Sequence, residues 1–214
     1  MRRQCLKTII EPADAPDVNI PLSPSLLDTS GNGHDASLIS GTVGTQVIDG
    51  ETWGDLRNAA VRLANPQQLS YINNFKLEVE LYVISLTSPQ YYMAVDGFDN
   101  GSTYKGIKIG TSWGQLFAAG IGVQRNQSDD WTYGFWISRN NIPTNTPIKV
   151  TIENRNNQVA VTVLNMSTGS IIGSRSETTP TFTQVSYSYL QLGRDARFAN
   201  RYFNGYMRNL KLWF

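Results

Sequence analysis

Polar and apolar residues alternate along much of this chain. In "KLEVELYVI" (76–84), Leu77, Val79, Leu81 and Val83 fall on one side, and Lys76, Glu78, Glu80 and Tyr82 on the other. That period of two belongs to a strand with one buried face. "IKVTIEN" (148–154) and "QVAVTVLN" (158–165) alternate likewise around the polar "RNN", which predicts a hairpin. "AAVRLA", "YYMAVDG", "KGIKIG", "LFAAGIGVQ", "TYGFWIS", "YLQLG" and "YMRNLKLWF" add strands between Gly, Asn and Pro punctuation. No segment keeps a helical period over three turns. A dozen or so short strands predict an all-β fold of two packed antiparallel sheets. Phe135, Trp136 and Trp213 sit inside alternating runs and are expected in the core. The last strand is expected to be tied into a sheet rather than frayed.

Residues 1–24 break the pattern. Pro12, Pro16, Pro21 and Pro24 stand too close together for a helix or a central strand to persist. An extended proline-rich arm is predicted there, ahead of a single domain spanning 25–214. Val18, Ile20 and Leu22 alternate within it, so the arm has an apolar edge with which to dock on a neighbouring surface.

Composition narrows the function. A chain of 214 residues suits one large sandwich. Only 16% of it is charged, and the net charge of +1 offers no field for a polyanion, so nucleic-acid binding is not expected. The single Cys5 excludes an internal disulfide framework. No apolar run approaches the roughly 20 residues of a membrane-spanning helix, so no membrane insertion is expected. The basic start "MRRQCLK" lacks the apolar segment of a secretory signal.

"DTSGNGHDASL", "AVRLANPQQLSYI", "FKLEVELYV", "IKVTIENRNNQVAVTVLN", "LQLGR" and "RYFNGYMRNLKLW" follow one another in a familiar order. Over residues 25–214 the chain resembles the laminin G type of concanavalin A-like jelly roll. The resemblance implies two curved antiparallel sheets. It also raises calcium as a cofactor, because family members hold that ion with loop carboxylates and carbonyls. Asp28 and Asp35 are the oxygen donors this chain could offer. Asn209 stands where many relatives carry an acid, which argues against the ion. The stretch therefore reads as a turn, with Gly31 and Gly33 free to adopt positive φ and with Asp28, Ser30 and Asn32 bracing it. His34 is expected to be a solvated turn residue.

By the same resemblance, jelly-roll glycosidases carry acids at alternate positions of one strand. Glu78 and Glu80 have that spacing, but Tyr82 follows where a third acid is expected. The pair reads as the polar face of a strand, and no nucleophile elbow accompanies His34. No enzyme is expected. Trp113, Asp130, Trp131 and Tyr133 lie beside amides in the predicted loops "GTSWGQ" and "NQSDDWTYGFW". Aromatic faces with polar neighbours suit a sugar, whose rings present apolar faces and hydroxyl edges. The expected function is a non-enzymatic virion component: a capsid decoration, fibre or tail part of a bacteriophage. It would join other virion subunits through the arm, in an oligomeric assembly, and touch host-surface glycans. The alternative is an extracellular carbohydrate-binding module of a secreted protein.

Overall fold

The structure, a computed structural model, describes residues 15–63, 74–86, 91–99, 103–111, 116–125, 133–179, 181, 187–194 and 202–214. Its strands are β1 (Val18–Ile20), β2 (Ala36–Ser40), β3 (Gly44–Ile48), β4 (Glu51–Asp55), β5 (Ala60–Leu63), β6 (Phe75–Val83), β7 (Tyr91–Asp99) and β8 (Thr103–Thr111). They continue with β9 (Leu116–Arg125), β10 (Tyr133–Ser138), β11 (Pro147–Arg155), β12 (Gln158–Asn165), β13 (Ile171–Thr178), β14 (Tyr187–Leu192) and β15 (Gly205–Trp213). One 3-10 turn, Arg139–Asn141, is the helical element among the described residues.

Two antiparallel sheets form a jelly-roll-like sandwich. One has the order β13-β12-β11-β6-β15-β4-β3, with β1 added on β15, and the other the order β10-β9-β8-β7-β14-β5-β2. Side chains alternate in and out of a pleated strand, so one set from each sheet meets in the middle. Leu77, Val79, Leu81 and Val83 of β6 are fully buried there, as the alternation predicts, beside Ile148, Val150 and Ile152 of β11. Ile109, Phe117, Ile121, Leu190 and Leu192 close the core from the other sheet. The predicted hairpin is present: Arg155 pairs with Gln158 across Asn156 and Asn157, at φ 51° and 58°. Asparagine tolerates that left-handed region, and the turn it makes matches strand twist.

The boundary expected after residue 24 is corrected. Val18, Asn19 and Ile20 pair with Leu212, Lys211 and Leu210 of β15. Val18 and Ile20 are fully buried and Leu22 is 1% exposed, all within the sandwich core. The apolar edge of the arm thus docks on the chain's own sheet. Prolines 16, 21 and 24 flank the three-residue strand instead of interrupting it, where a missing N–H removes no ladder bond. Gly54 admits this segment: a Cβ there would lie 2.4 Å from the Leu22 carbonyl oxygen. Residues 1–14 lie outside the described residues.

Asn209 explains how β15 serves two partners on one edge. Before it, Tyr206 and Met207 pair with β4; after it, the strand pairs with β1. Asn209 sits at φ 53°, in an irregularity that also shifts the register against β6. Two expected core rings face outward instead. Trp213 is half-buried with the Lys76 ammonium 4.6 Å above its ring. Trp136 is half-buried next to Ile137, which packs on the core, so alternation turns the indole away from it. The Phe135 side chain lies outside the description.

Candidate functional site

The 28–35 turn is a clasp. Asp28 Oδ1 accepts from the Asn19 and Ser30 N–H groups at 2.9 and 3.0 Å. Its Oδ2 accepts from Ser30 Oγ at 2.7 Å and from the His34 N–H at 3.0 Å. Asp35 Oδ1 accepts from the Asp28 N–H at 2.8 Å. Thr29 N–H and Oγ1 both donate to the Asn19 carbonyl, and Ser30 Oγ and Asn32 Nδ2 donate to that of Asp17. The turn therefore ties β1 down. Calcium does not fit this donor set, because Asp28 presents its lone pairs to four donors that an ion would displace. His34 is corrected from solvated to buried, at 2% exposure. A buried ring beneath the turn supplies packing that a turn pattern does not reveal.

Burial acts to raise the Asp28 pKa, and the bonds from Asn19, Ser30 and His34 outweigh it, leaving the carboxyl below its ordinary value. A depressed carboxylate contributes stability that is complete above the unfolded-state pKa. That contribution is lost as pH falls through the lower folded value. Asp28→Ala is expected to lower stability by about 1–3 kcal/mol, since it strands several donors. In urea titrations the variant should lose less stability than the parent between neutral and strongly acidic pH. A chelator should leave the parent's melting temperature unchanged. A fall on chelation, reversed by calcium, contradicts the clasp.

Trp113, Asp130 and Trp131 lie outside the described residues, and Tyr133 opens β10 with its side chain undescribed. Topology nevertheless bears on their grouping. The 112–115 connection enters β9 at Leu116, whereas the 126–132 connection leaves it at Arg125. Ten strand residues cover roughly 30 Å. Leu116 and Arg125 are thus the opposite ends of β9.

The described residues assemble a different cluster, on the outer face of the eight-stranded sheet. Gly54 and Met207 point inward, so their neighbours Trp53, Tyr206 and Arg208 point out, as do Glu80 and Tyr82 of β6. Trp53 is 1% exposed although it stands apart from the sandwich core. The Arg208 guanidinium covers it, 4.5 Å above the ring. Arg208 is held in turn by Glu80 through Nε and by Glu51 at 2.9 Å through Nη1. Asn209 Nδ2 adds a bond to Glu80 at 3.3 Å. Tyr82 packs edge-on to Trp53 with centroids 6.1 Å apart, and Tyr206 lies 5.8 Å from Tyr82. Beside this group opens a cleft of about 170 Å³ lined by Trp53, Arg208, Glu51, Pro147 and Met166, among others.

Sequence reasoning missed this cluster because 155 residues separate Trp53 from Arg208 and neither belongs to a local motif. The one available signal was "ETWGD", a tryptophan between acids beside a glycine. Glu78 and Glu80 do share one face, but each has a cation: Lys76 at 2.8 Å for Glu78, Arg208 for Glu80. Across the molecule, Tyr202 donates to Ser40 at 3.3 Å and lies under Arg194. The Ser40 and Arg194 hydrogen bonds lower its pKa against burial.

The sequence matches no family model and no curated protein. Solved structures do match. One is domain 4 of AbnA, an extracellular GH43 arabinanase from Geobacillus stearothermophilus, in complex with arabinotriose. Its TM-score is 0.61 at 14% identity, covering 92% of this chain and 91% of that one. Another is the binding domain of botulinum neurotoxin DC in complex with SialylT, at TM-score 0.60 and 14% identity over 94% of this chain. A third is the enzymatically active domain of bacteriophage CBA120 tailspike protein 2, at TM-score 0.58 and 10% identity over 83% of this chain. The likeness is one of fold. This chain spans 47% of the toxin domain and 28% of the tailspike structure.

Proposed function

We propose that this chain is a non-enzymatic glycan-recognition sandwich, of the laminin G branch of the concanavalin A-like jelly rolls, carried as a structural part of a virion. The observation that carries the glycan reading is the fold likeness, nearly end to end for both chains, to a domain solved with arabinotriose; likeness to about half of a binding domain solved with SialylT supports it. The tailspike likeness supports the virion setting. Ion pairing of Glu78 and Glu80 supports a binding role over hydrolysis, because neither carboxylate stands ready as an unpaired acid or nucleophile. Val18, Ile20 and Leu22 are already engaged in the chain's own sheet, so contact with neighbouring subunits falls to the segment 1–14.

A carbohydrate-binding module of a secreted enzyme is the second reading. The AbnA domain favours it, because that match covers both chains almost completely.

A glycan array with the purified chain tests the shared claim, with hydrolysis followed in parallel. Retention of defined glycans without cleavage is expected. If Trp131 and Tyr133 form the recognition loop, Trp131→Ala should weaken retention by about 2 kcal/mol, roughly thirtyfold. Silence on every glycan sinks the glycan reading. Cleavage abolished by Glu78→Gln with Glu80→Gln sinks the non-enzymatic one. Mass spectrometry of purified particles separates the virion setting from the secreted one.

A further inference from the structure

We infer that the cleft beside Trp53 is a subsite for one neutral sugar ring. The inference rests on the glycan-recognition reading and places a site where the sequence pointed to none. Two hairpin ends build it. Ile48, Asp49 and Glu51 come from the β3–β4 turn, and Met166 and Ser167 from the β12–β13 turn. In the sheet, β4 and β12 are separated by β15, β6 and β11, so about 19 Å of sheet lies between them. Both ends line one cleft, so they flank a trough over the outer face, with Trp53, Arg208 and Pro147 beneath.

Size, charge and an unused donor define the occupant. At about 170 Å³ the cleft is smaller than the roughly 300–1,000 Å³ of sites for drug-sized ligands. It takes a single ring or the terminal residue of a chain. Ile48, Pro147 and Met166 offer apolar surface to a sugar's C–H face, while Asp49, Glu51 and Ser167 offer acceptors to its hydroxyls. The lining's one cation, Arg208, is already paired with Glu51 and Glu80. A carboxylated sugar would compete with both and meet Asp49 as well, so the lining selects against anions. Trp53 supplies the second observation. Its Nε1 is buried with no hydrogen-bond acceptor among the described residues. Buried donors in folded proteins are ordinarily satisfied, so this N–H is an unused donor beside the cleft, reached by a sugar oxygen when the Arg208 cover shifts.

The five tryptophans give distinguishable indole N–H signals in a nuclear magnetic resonance titration of the full chain. Trp53→Phe assigns the Trp53 signal by its loss. Methyl glycosides of arabinose, glucose, galactose and mannose are the neutral probes, and sialic acid is the anionic one. A neutral glycoside is expected to move the Trp53 signal saturably at millimolar concentration, and sialic acid to leave it in place. Ser167→Trp, which fills the cleft from an exposed turn, should abolish the shift, and Thr168→Ala, one position outside the lining, should keep the affinity within about threefold. Three results overturn the inference while glycan recognition stands. In the first, another indole moves and Trp53 does not. In the second, arrayed glycans bind with no indole moving. In the third, sialic acid shifts Trp53 as strongly as the neutral probes. If no indole moves and the array is blank, both readings fall.

Discussion

A chain lacking residues 1–24 should not fold at temperatures where one lacking only residues 1–14 does. The difference lies in β1 and the turn after it. Val18, Ile20 and Leu22 are each at most 1% exposed. Burying such side chains contributes about 1.5–3 kcal/mol apiece. Together they approach the 5–15 kcal/mol that separates a typical folded domain from its unfolded state. The longer deletion also strips the β15 edge at Leu210 and Leu212 and removes the Asn19 donor that Asp28 accepts. Dichroism melts of the two truncations check this. If the longer one melts within a degree or two of the parent, β1 contributes no more than a passive cover.

That strand also shows where sequence reading stops. β6, β11 and β12 were legible because each runs eight or nine residues with one face buried, long enough for a period of two to stand out. In β1, three residues between prolines, the alternation of Val18 and Ile20 was legible as an apolar edge, but not the surface it covers, because its partner lies nearly two hundred positions away. β2, β3, β4 and β13 were missed for a related reason. β2, β3 and β13 lie on sheet edges and are largely exposed or half-buried, and β4 is short, so little alternation shows. The 28–35 turn was legible as a turn, since Gly31 and Gly33 do adopt positive φ. Its task of holding β1 was not, because the hydrogen-bond acceptors at Asp17 and Asn19 are backbone carbonyls that any residue carries. Trp53 and Arg208 became neighbours only through the pairing of β4 with β15, which no local signal specifies.

Replacing Arg208 by alanine should produce the second large effect, a loss of about 3 kcal/mol, near the lower end for breaking a buried ion pair. Its side chain is 13% exposed and that of Glu80 15%, so removal leaves a carboxylate short of its cation in poorly solvated surroundings. It also uncovers the Trp53 ring. Arg208→Met combined with Glu80→Met should recover most of the loss, because apolar side chains of similar size remove the stranded charge and still cover the indole. Urea midpoints for the single and double variants decide the matter. Equal losses in both would show that neither the stranded carboxylate nor the uncovered indole accounts for the effect.

β15 has a consequence for the order of assembly. It lies between β6 and β4 and also receives β1, yet its residues, 205–213, follow all the other described strands in sequence. During synthesis from the N-terminus, β1, β4 and β6 wait for it with an unfilled slot. The edges of β6 and β4 stay open until more than a hundred further residues have emerged. Such long-range closure makes folding slow, and an open edge invites pairing with another chain. A cell making this protein in quantity must therefore shelter an incomplete sheet until residues 205–213 close it.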